Sequence, residues 1–301
     1  MFGIWFIAMR PWSFTAAFIP IALGSALAWS EGKFDIGLFL LTLFGGICMQ
    51  AGTNLINTYG DYIAGVDTIE SARTCPQLVT GMLKPHSMKR AGLIAFSLAG
   101  LAGALLAYLC GPEVLAVGAF GFLGGYCYTA GAAPYKYQGL GPLFVFFLMG
   151  PLMAWPAYFI QTGKFNMIPV VAAIPVGFLV TGILHANDIR DIIQDRKAGI
   201  KTVALSLGFA KSVIFYGFLY AAAYACLIVL VLQEVLPWTA ILPLLLVPMV
   251  VTVLRRAHAA SKGAYEQFSR LEADSAGLHF QFGLLLIAGL LVAPYVNRWW
   301  L

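Results

Sequence analysis

Asn54, Asn57 and Asp61 recur 134 positions later as Asp188, Asp191 and Asp195. Residues 54–68 read NLINTYGDYIAGVDT and residues 188–202 read DIRDIIQDRKAGIKT, so Ala64-Gly65 stands opposite Ala198-Gly199 and Thr68 opposite Thr202. Positions i, i+3 and i+7 share one face of an α-helix. Each copy therefore points three oxygen-bearing side chains the same way, and Gly65 and Gly199 suit the end of the helix. Acids near a helix C-terminus oppose the macrodipole, which prefers cations there. That placement, made twice, calls for a compensating cation. Hard carboxylate and amide oxygens suit Mg²⁺, which takes one or two carboxylates and shares its remaining positions with phosphate oxygens. Basic residues are interleaved with the acids: Arg73 after the first copy, then Arg190, Arg196, Lys197 and Lys201 around the second. Acids alone would suit a metal store and cations alone an anion site; together they predict metal and diphosphate held at once. The plainer alternative, solvated helix ends beside cations that only set topology, fits Arg255, Arg256 and Lys262 better than Arg190 and Lys201.

Such helix ends must be carried by membrane-spanning helices. Of the 301 residues, 60% are hydrophobic and only 10% charged, against about a quarter charged in soluble domains, and mean hydropathy is +0.84. Apolar runs long enough to cross a bilayer predict an all-α integral membrane bundle of nine spans: 12–30, 36–58, 91–111, 113–130, 139–162, 167–187, 210–233, 236–254 and 277–297. With the N-terminus in the cytoplasm, fifteen of the eighteen Lys and Arg fall on cytoplasmic segments, and only Lys33, Lys164 and Arg298 lie outside. This is the positive-inside pattern. It accounts for the net charge of +5 without nucleic acid, and it puts both acidic motifs and the long loops on the cytoplasmic face. The segment 1–9 is apolar but short and runs into Arg10-Pro11, unlike a cleaved signal. The five cysteines show no CxxC pair and read as free thiols. Gly100, Gly103, Gly118, Gly121, Gly124 and Gly125 are expected to let helices pack closely. The whole chain, 1–301, reads as one transmembrane domain.

Asn57-Thr58-Tyr59-Gly60-Asp61 followed by Asp67, and Asp188-Ile-Arg-Asp191-Ile-Ile-Gln-Asp195, resemble the two Asp-rich motifs of the UbiA-type membrane prenyltransferases. Arg10-Pro11-Trp12-Ser13-Phe14 with Pro20-Ile-Ala-Leu-Gly24 resembles that family's opening. Finer features are similar to its 1,4-dihydroxy-2-naphthoate polyprenyltransferase branch: Tyr59-Gly60-Asp61 with Gly65-Val66-Asp67, Tyr158-Phe159-Ile160-Gln161-Thr162-Gly163, and Asn187-Asp188-Ile189-Arg190-Asp191. Thr58 departs from the pattern, standing where the family's first motif usually has Asp.

The resemblance implies a nine-helix bundle whose motifs follow spans two and six; helical spans with their chemistry on the cytoplasmic side place it in the cytoplasmic (inner) membrane. It implies transfer of a polyprenyl group from polyprenyl diphosphate to an aromatic acceptor, 1,4-dihydroxy-2-naphthoate in menaquinone biosynthesis, with Mg²⁺ and with lipid around the tail. On that basis Asp61, Asp67, Asp191 and Asp195 are the main metal carriers, helped by Asn57 and Asp188. Arg73, Arg190 and Lys201 hold phosphate beside Asn57, with Asp61, Asp191, Asp195 and Lys201 at the reacting centre. Asn54, Tyr128, Lys136 and His185 are candidates for contact with the acceptor or with an allylic cation. Anchoring at the lipid interface is the preferred alternative for Tyr126, Tyr128, Tyr135 and Tyr137, and a satisfied polar group inside the bundle is preferred for His185. Other acceptors of the same machinery (4-hydroxybenzoate, homogentisate, a lipid glycerol phosphate, a porphyrin) remain open. A divalent-cation or proton-coupled transporter is the rival of another class, disfavoured because the acids cluster toward one side beside basic residues.

Overall fold

The structure is a computed structural model that describes residues 2–69, 75–131 and 134–296. Arg73 and Arg298 lie outside the described residues. Twelve α-helices follow one another: α1 (Phe2–Ala8), α2 (Thr15–Ser30), α3 (Ile36–Ile63), α4 (Pro85–Cys110), α5 (Glu113–Tyr126), α6 (Gly141–Leu148), α7 (Pro151–Thr162), α8 (Ile168–Ala172), α9 (Ile174–Ala198), α10 (Val203–Leu232), α11 (Val247–Ala260) and α12 (Leu271–Val296). Among the described residues there is no β-strand, only an isolated bridge between Gln138 and Lys201.

Among the described residues, seven helical segments are long and apolar enough to cross a membrane, two fewer than the nine spans expected. The difference has two causes. Helix α5 is apolar but only 14 residues long. The expected span 167–187 is broken into α8 and α9, and α9 carries Asp188, Arg190, Asp191, Asp195, Arg196 and Lys197 in its second half.

Helix α2 forms the centre of the bundle. From Ala16 to Ala28 every residue but Phe18 is buried, as expected for a helix apolar all round, and it packs on α3, α7 and α12. The outer helices leave apolar side chains on the surface, among them Leu98, Leu101 and Leu105 of α4 and Phe218 of α10. In water these would be a liability; against lipid they are the solvated face.

Only two of the six glycines expected to pack closely do so. A Cβ on Gly100, Gly103, Gly118 or Gly121 would meet nothing within 4 Å, and of the six only Gly124 and Gly125 approach neighbours closely. Close backbone approach occurs instead at Gly24, where a Cβ would overlap the carbonyl oxygen of Ala154 on α7.

Candidate active site

Helix α3, 28 residues long, is roughly 42 Å from end to end, more than the ~30 Å hydrocarbon core of a bilayer. Its last turns carry the first motif. Both copies end in the same way. Gly65 (φ 70°) and Gly199 (φ 69°) take the left-handed conformation. Val66 N–H then donates to the Asp61 carbonyl at 2.9 Å and Ile200 N–H to the Asp195 carbonyl at 3.2 Å. These are the same helix-closing bond at matched positions, so the sequence match is also a match of local structure.

A cavity of about 1700 Å³, counting its open mouth, lies between the two motifs. Asn54, Asn57, Asp61 and Asp67 line it from the first copy, and Asp188, Arg190, Asp191 and Asp195 from the second; Tyr128 and Lys136 join them from the loop after α5. Met49, Gly121, Gly125, Val145, Leu148, Met149, Met153, Val180, Ile183 and Leu184 give it an apolar stretch of wall.

The carboxylates are held by the protein's own donors. Lys136 Nζ is 2.6 Å from Asp61 Oδ2, which also accepts from Asn57 Nδ2 at 3.0 Å; Tyr137 OH donates to Asp61 Oδ1 at 2.8 Å. Burial pulls the Lys136 pKa down, but the charge and hydrogen bond of Asp61 outweigh it, so the lysine stays an ammonium. Arg190 forks onto its neighbour Asp191 (Nε–Oδ1 2.9 Å, Nη2–Oδ2 2.6 Å) and ion-pairs with Glu272 of α12 through Nη1. Glu272 also accepts from Asn187 at 3.1 Å. Thr202, the N-cap of α10, accepts from Leu205 N–H at 3.1 Å and donates to Asp195 Oδ2 at 3.3 Å.

The loop 127–140 brings Lys136 to the site. Lys136 N–H bonds the Tyr128 carbonyl at 3.0 Å, and Tyr137 O accepts from the backbone N–H of Lys201 at 3.1 Å. Gly60 makes room for this loop, since a Cβ there would sit 2.7 Å from the carbonyl oxygen of Thr129. Substituting Gly60→Val should push the loop off α3 and separate Lys136 from Asp61. We expect turnover to fall by about tenfold or more while the detergent-extracted protein still elutes as a folded species. Unchanged kinetics would show that the loop does not need this contact.

Two predicted residues are not brought to the cavity. The Lys201 side chain is exposed, and only its backbone takes part. His185 is fully buried, with Nε2 3.0 Å from the Ser212 carbonyl and its ring edge-on to Phe215; it faces α10. Arg73 is outside the described residues. Tyrosines read as interfacial anchors turn inward instead: Tyr128 and Tyr135 line the cavity and Tyr137 holds Asp61. Sequence reasoning missed Arg10, Tyr137 and Glu272. Arg10 and Glu272 line the cavity, and no local spacing connects either of them to the acids.

The donor set fits a divalent cation. Asp61, Asp67, Asp188, Asp191 and Asp195 with the Asn57 amide, all hard oxygen donors, line one space, and Glu272 adds a sixth carboxylate. Asp67 shows the effect of crowding: burial, with Asp61 and Asp191 nearby, raises its carboxyl to about 6 despite the pull of Lys136 and Arg10. Among the described residues no three His, Cys, Asp or Glu side chains close into a ready-made metal cage. The acids are spread around the space instead, which suits an ion that keeps waters and takes substrate oxygens as ligands.

Residues 17–270 match the UbiA prenyltransferase family. The chain belongs to that family. It is 35% identical to the mouse UbiA prenyltransferase domain-containing protein 1 over 96% of this chain and 84% of the relative. It is 33% identical to a 1,4-dihydroxy-2-naphthoate octaprenyltransferase of Bacillus subtilis (strain 168) over 95% and 91%. Among solved structures, a UbiA homologue from Aeropyrum pernix K1 shares the fold with TM-score 0.70 at 18% identity, covering 92% of this chain and 97% of that one. A UbiA homologue from Archaeoglobus fulgidus, solved with GPP and Mg²⁺, aligns with TM-score 0.61 at 15% identity over 95% and 99%. The protein is thus a UbiA-family prenyltransferase of the membrane, and the transporter alternative falls.

Proposed function

We propose that this UbiA-family enzyme transfers a polyprenyl group from polyprenyl diphosphate to 1,4-dihydroxy-2-naphthoate, with Mg²⁺, at the cytoplasmic face of the cell membrane. The observation that carries this reading is the mixed lining of one cavity, acidic and cationic from the motif residues and apolar from Met149, Met153 and Leu184. It matches a molecule with a diphosphate head and a hydrocarbon tail. Full-length similarity to the Bacillus octaprenyltransferase supports the choice of acceptor.

Asn57, Asp61 and Asp67 on one side and Asp188, Asp191 and Asp195 on the other would hold the metal. When bound, Mg²⁺ supplies charge stabilisation to the diphosphate as it departs. Lys136 and Arg190 sit on the same wall, each already paired with a motif carboxylate, and would share their charge with phosphate oxygens. As the allylic C–O bond breaks, its electron pair stays on the diphosphate. The acceptor's ring carbon then supplies the pair for the new C–C bond, and the ring recovers aromaticity by losing its carboxyl group as CO₂. The apolar wall excludes water from the allylic cation, and the Tyr128 ring, which already lies 5.7 Å from Lys136 Nζ, favours positive charge.

The test is label transfer by purified protein from a radiolabelled polyprenyl diphosphate, with a panel of aromatic acceptors, with and without EDTA. Metal-dependent labelling of dihydroxynaphthoate with release of CO₂ is expected, and chelation should abolish it. Labelling of 4-hydroxybenzoate or homogentisate alone would refute the acceptor; labelling unaffected by EDTA would refute the metal.

A further inference from the structure

We propose that Arg10 anchors the carboxylate of the acceptor, with Trp12, Ser13, Gln50 and Asn54 forming the rest of an acceptor subsite; this inference rests on the aromatic-acid reading above. Arg10 is one of two described non-glycine residues with positive φ (54°, ψ 62°). Such a backbone is strained and persists only where surrounding contacts impose it. Here they do. Asn54 Nδ2 donates to the Met9 carbonyl at 2.8 Å and to Ser13 Oγ at 2.8 Å, while Ser13 N–H and Oγ both donate to the Arg10 carbonyl, at 2.9 and 2.8 Å. The result aims a guanidinium into the cavity.

The partners of that guanidinium set it apart from the other two cations on the described wall. Lys136 is seated on Asp61, and Arg190 is shared between Asp191 and Glu272. Arg10 Nε donates to Cys75 Sγ at 3.1 Å and Nη2 to Thr58 Oγ1 at 3.2 Å, both uncharged groups. Thr58 is the position where the first motif of the family usually carries Asp. A carboxylate there would occupy the guanidinium; a threonine leaves its charge for a ligand.

Carboxylate is favoured over diphosphate by what stands alongside. Gln50 and Asn54 continue the Asn57–Asp61 face of α3 deeper into the bundle, but as neutral amides. Gln50 is buried, its amide makes only long contacts (3.4 Å to Ser13 Oγ, 3.5 Å to Asn54 Oδ1), and its Oε1 has no partner. Trp12 offers a flat apolar surface on the same wall. A planar guanidinium fork, the underused Gln50 amide and an indole suit a hydroxyaryl carboxylate: the fork takes the carboxylate in two parallel bonds, the amide a hydroxyl, the indole a ring. The product has lost its carboxylate and with it this ion pair, which helps it leave.

The experiment is steady-state kinetics of wild type, Arg10→Gln and Arg10→Lys, with dihydroxynaphthoate as substrate and 1,4-dihydroxynaphthalene, the same ring without the carboxylate, as competitor. Arg10→Gln should raise KM for dihydroxynaphthoate by about ten- to a hundredfold, the range for losing a hydrogen-bonded charge. The Ki of the uncharged competitor and KM for the diphosphate should move less than threefold, which also reports that the variant is folded. Arg10→Lys should fall between, keeping charge without the fork. An equal rise for both ring compounds, or a rise confined to the diphosphate, would overturn the assignment. If wild type prenylates no hydroxyaryl acid at all, the proposed acceptor class fails instead.

Discussion

Asp61→Asn should abolish turnover, lowering kcat/KM by at least about a thousandfold, the order seen when charge stabilisation at a reacting centre is removed. The substitution preserves shape and removes the charge. In the native chain Asp61 Oδ2 accepts from Lys136 and Asn57, and Oδ1 accepts from Tyr137, with the carboxylate side chain only 5% exposed. An amide would turn one donor toward these donors and leave the Lys136 ammonium without its anion. Breaking a buried pair from one side costs about 3–5 kcal/mol, so the variant should also be less stable. The two effects separate in the double variant Asp61→Asn with Lys136→Met. If Asp61 serves only to neutralise Lys136, the double variant should regain activity. If it carries metal and diphosphate charge, stability should return while turnover stays at background, and we expect the second outcome. Asp195→Asn, at the equivalent position of the other copy, should behave like Asp61→Asn.

The acidic motifs were legible because their chemistry is local. Three oxygen-bearing residues on one face of a helix, closed by glycine, can be read from spacing alone, and the matched bonds from Val66 and Ile200 repeat in structure what repeats in sequence. Their surroundings were not legible in that way. Lys136 lies 75 residues from Asp61, and Glu272 lies 82 from Arg190; no periodicity links such pairs. Tyr137 looked like an interfacial tyrosine because composition places tyrosines at headgroup level without saying which way the loop faces. Lys201 shows the opposite error. Its place inside the motif suggested a phosphate ligand, whereas the chain turns at Gly199 and leaves the side chain exposed while its N–H pins the loop. The span count differed for a related reason: hydropathy segments the chain by apolar length, but α9 is a bundle helix whose second half is charged because it faces the site.

Gly24→Val should damage the bundle severely away from the site, with Gly100→Val the harmless control. Both glycines lie inside helices, in similar apolar company, and sequence alone favoured Gly100 as the packing residue. The structure separates them. Gly100 is exposed on the lipid-facing side of α4, with open space where a Cβ would stand. At Gly24 a Cβ would overlap the Ala154 carbonyl oxygen and lie 3.0 Å from both Ala157 Cβ and Tyr158 N. Two of these are backbone atoms of α7, which cannot rotate away, so α2 must move as a rod. Overpacking costs about 1–3 kcal/mol where side chains can adjust; against backbone the upper end or beyond is expected. At roughly 2–4 °C per kcal/mol for a chain somewhat shorter than this one, Gly24→Val should lower the melting temperature in detergent by about 6 °C or more, with Gly100→Val near wild type. The functional consequence is specific. Helix α2 continues the segment that holds Arg10 and Ser13, so a tilt of α2 should raise KM for the acceptor in whatever protein remains folded. Equal melting temperatures for the two variants would mean that α2 and α7 do not make the close contact on which this arrangement depends.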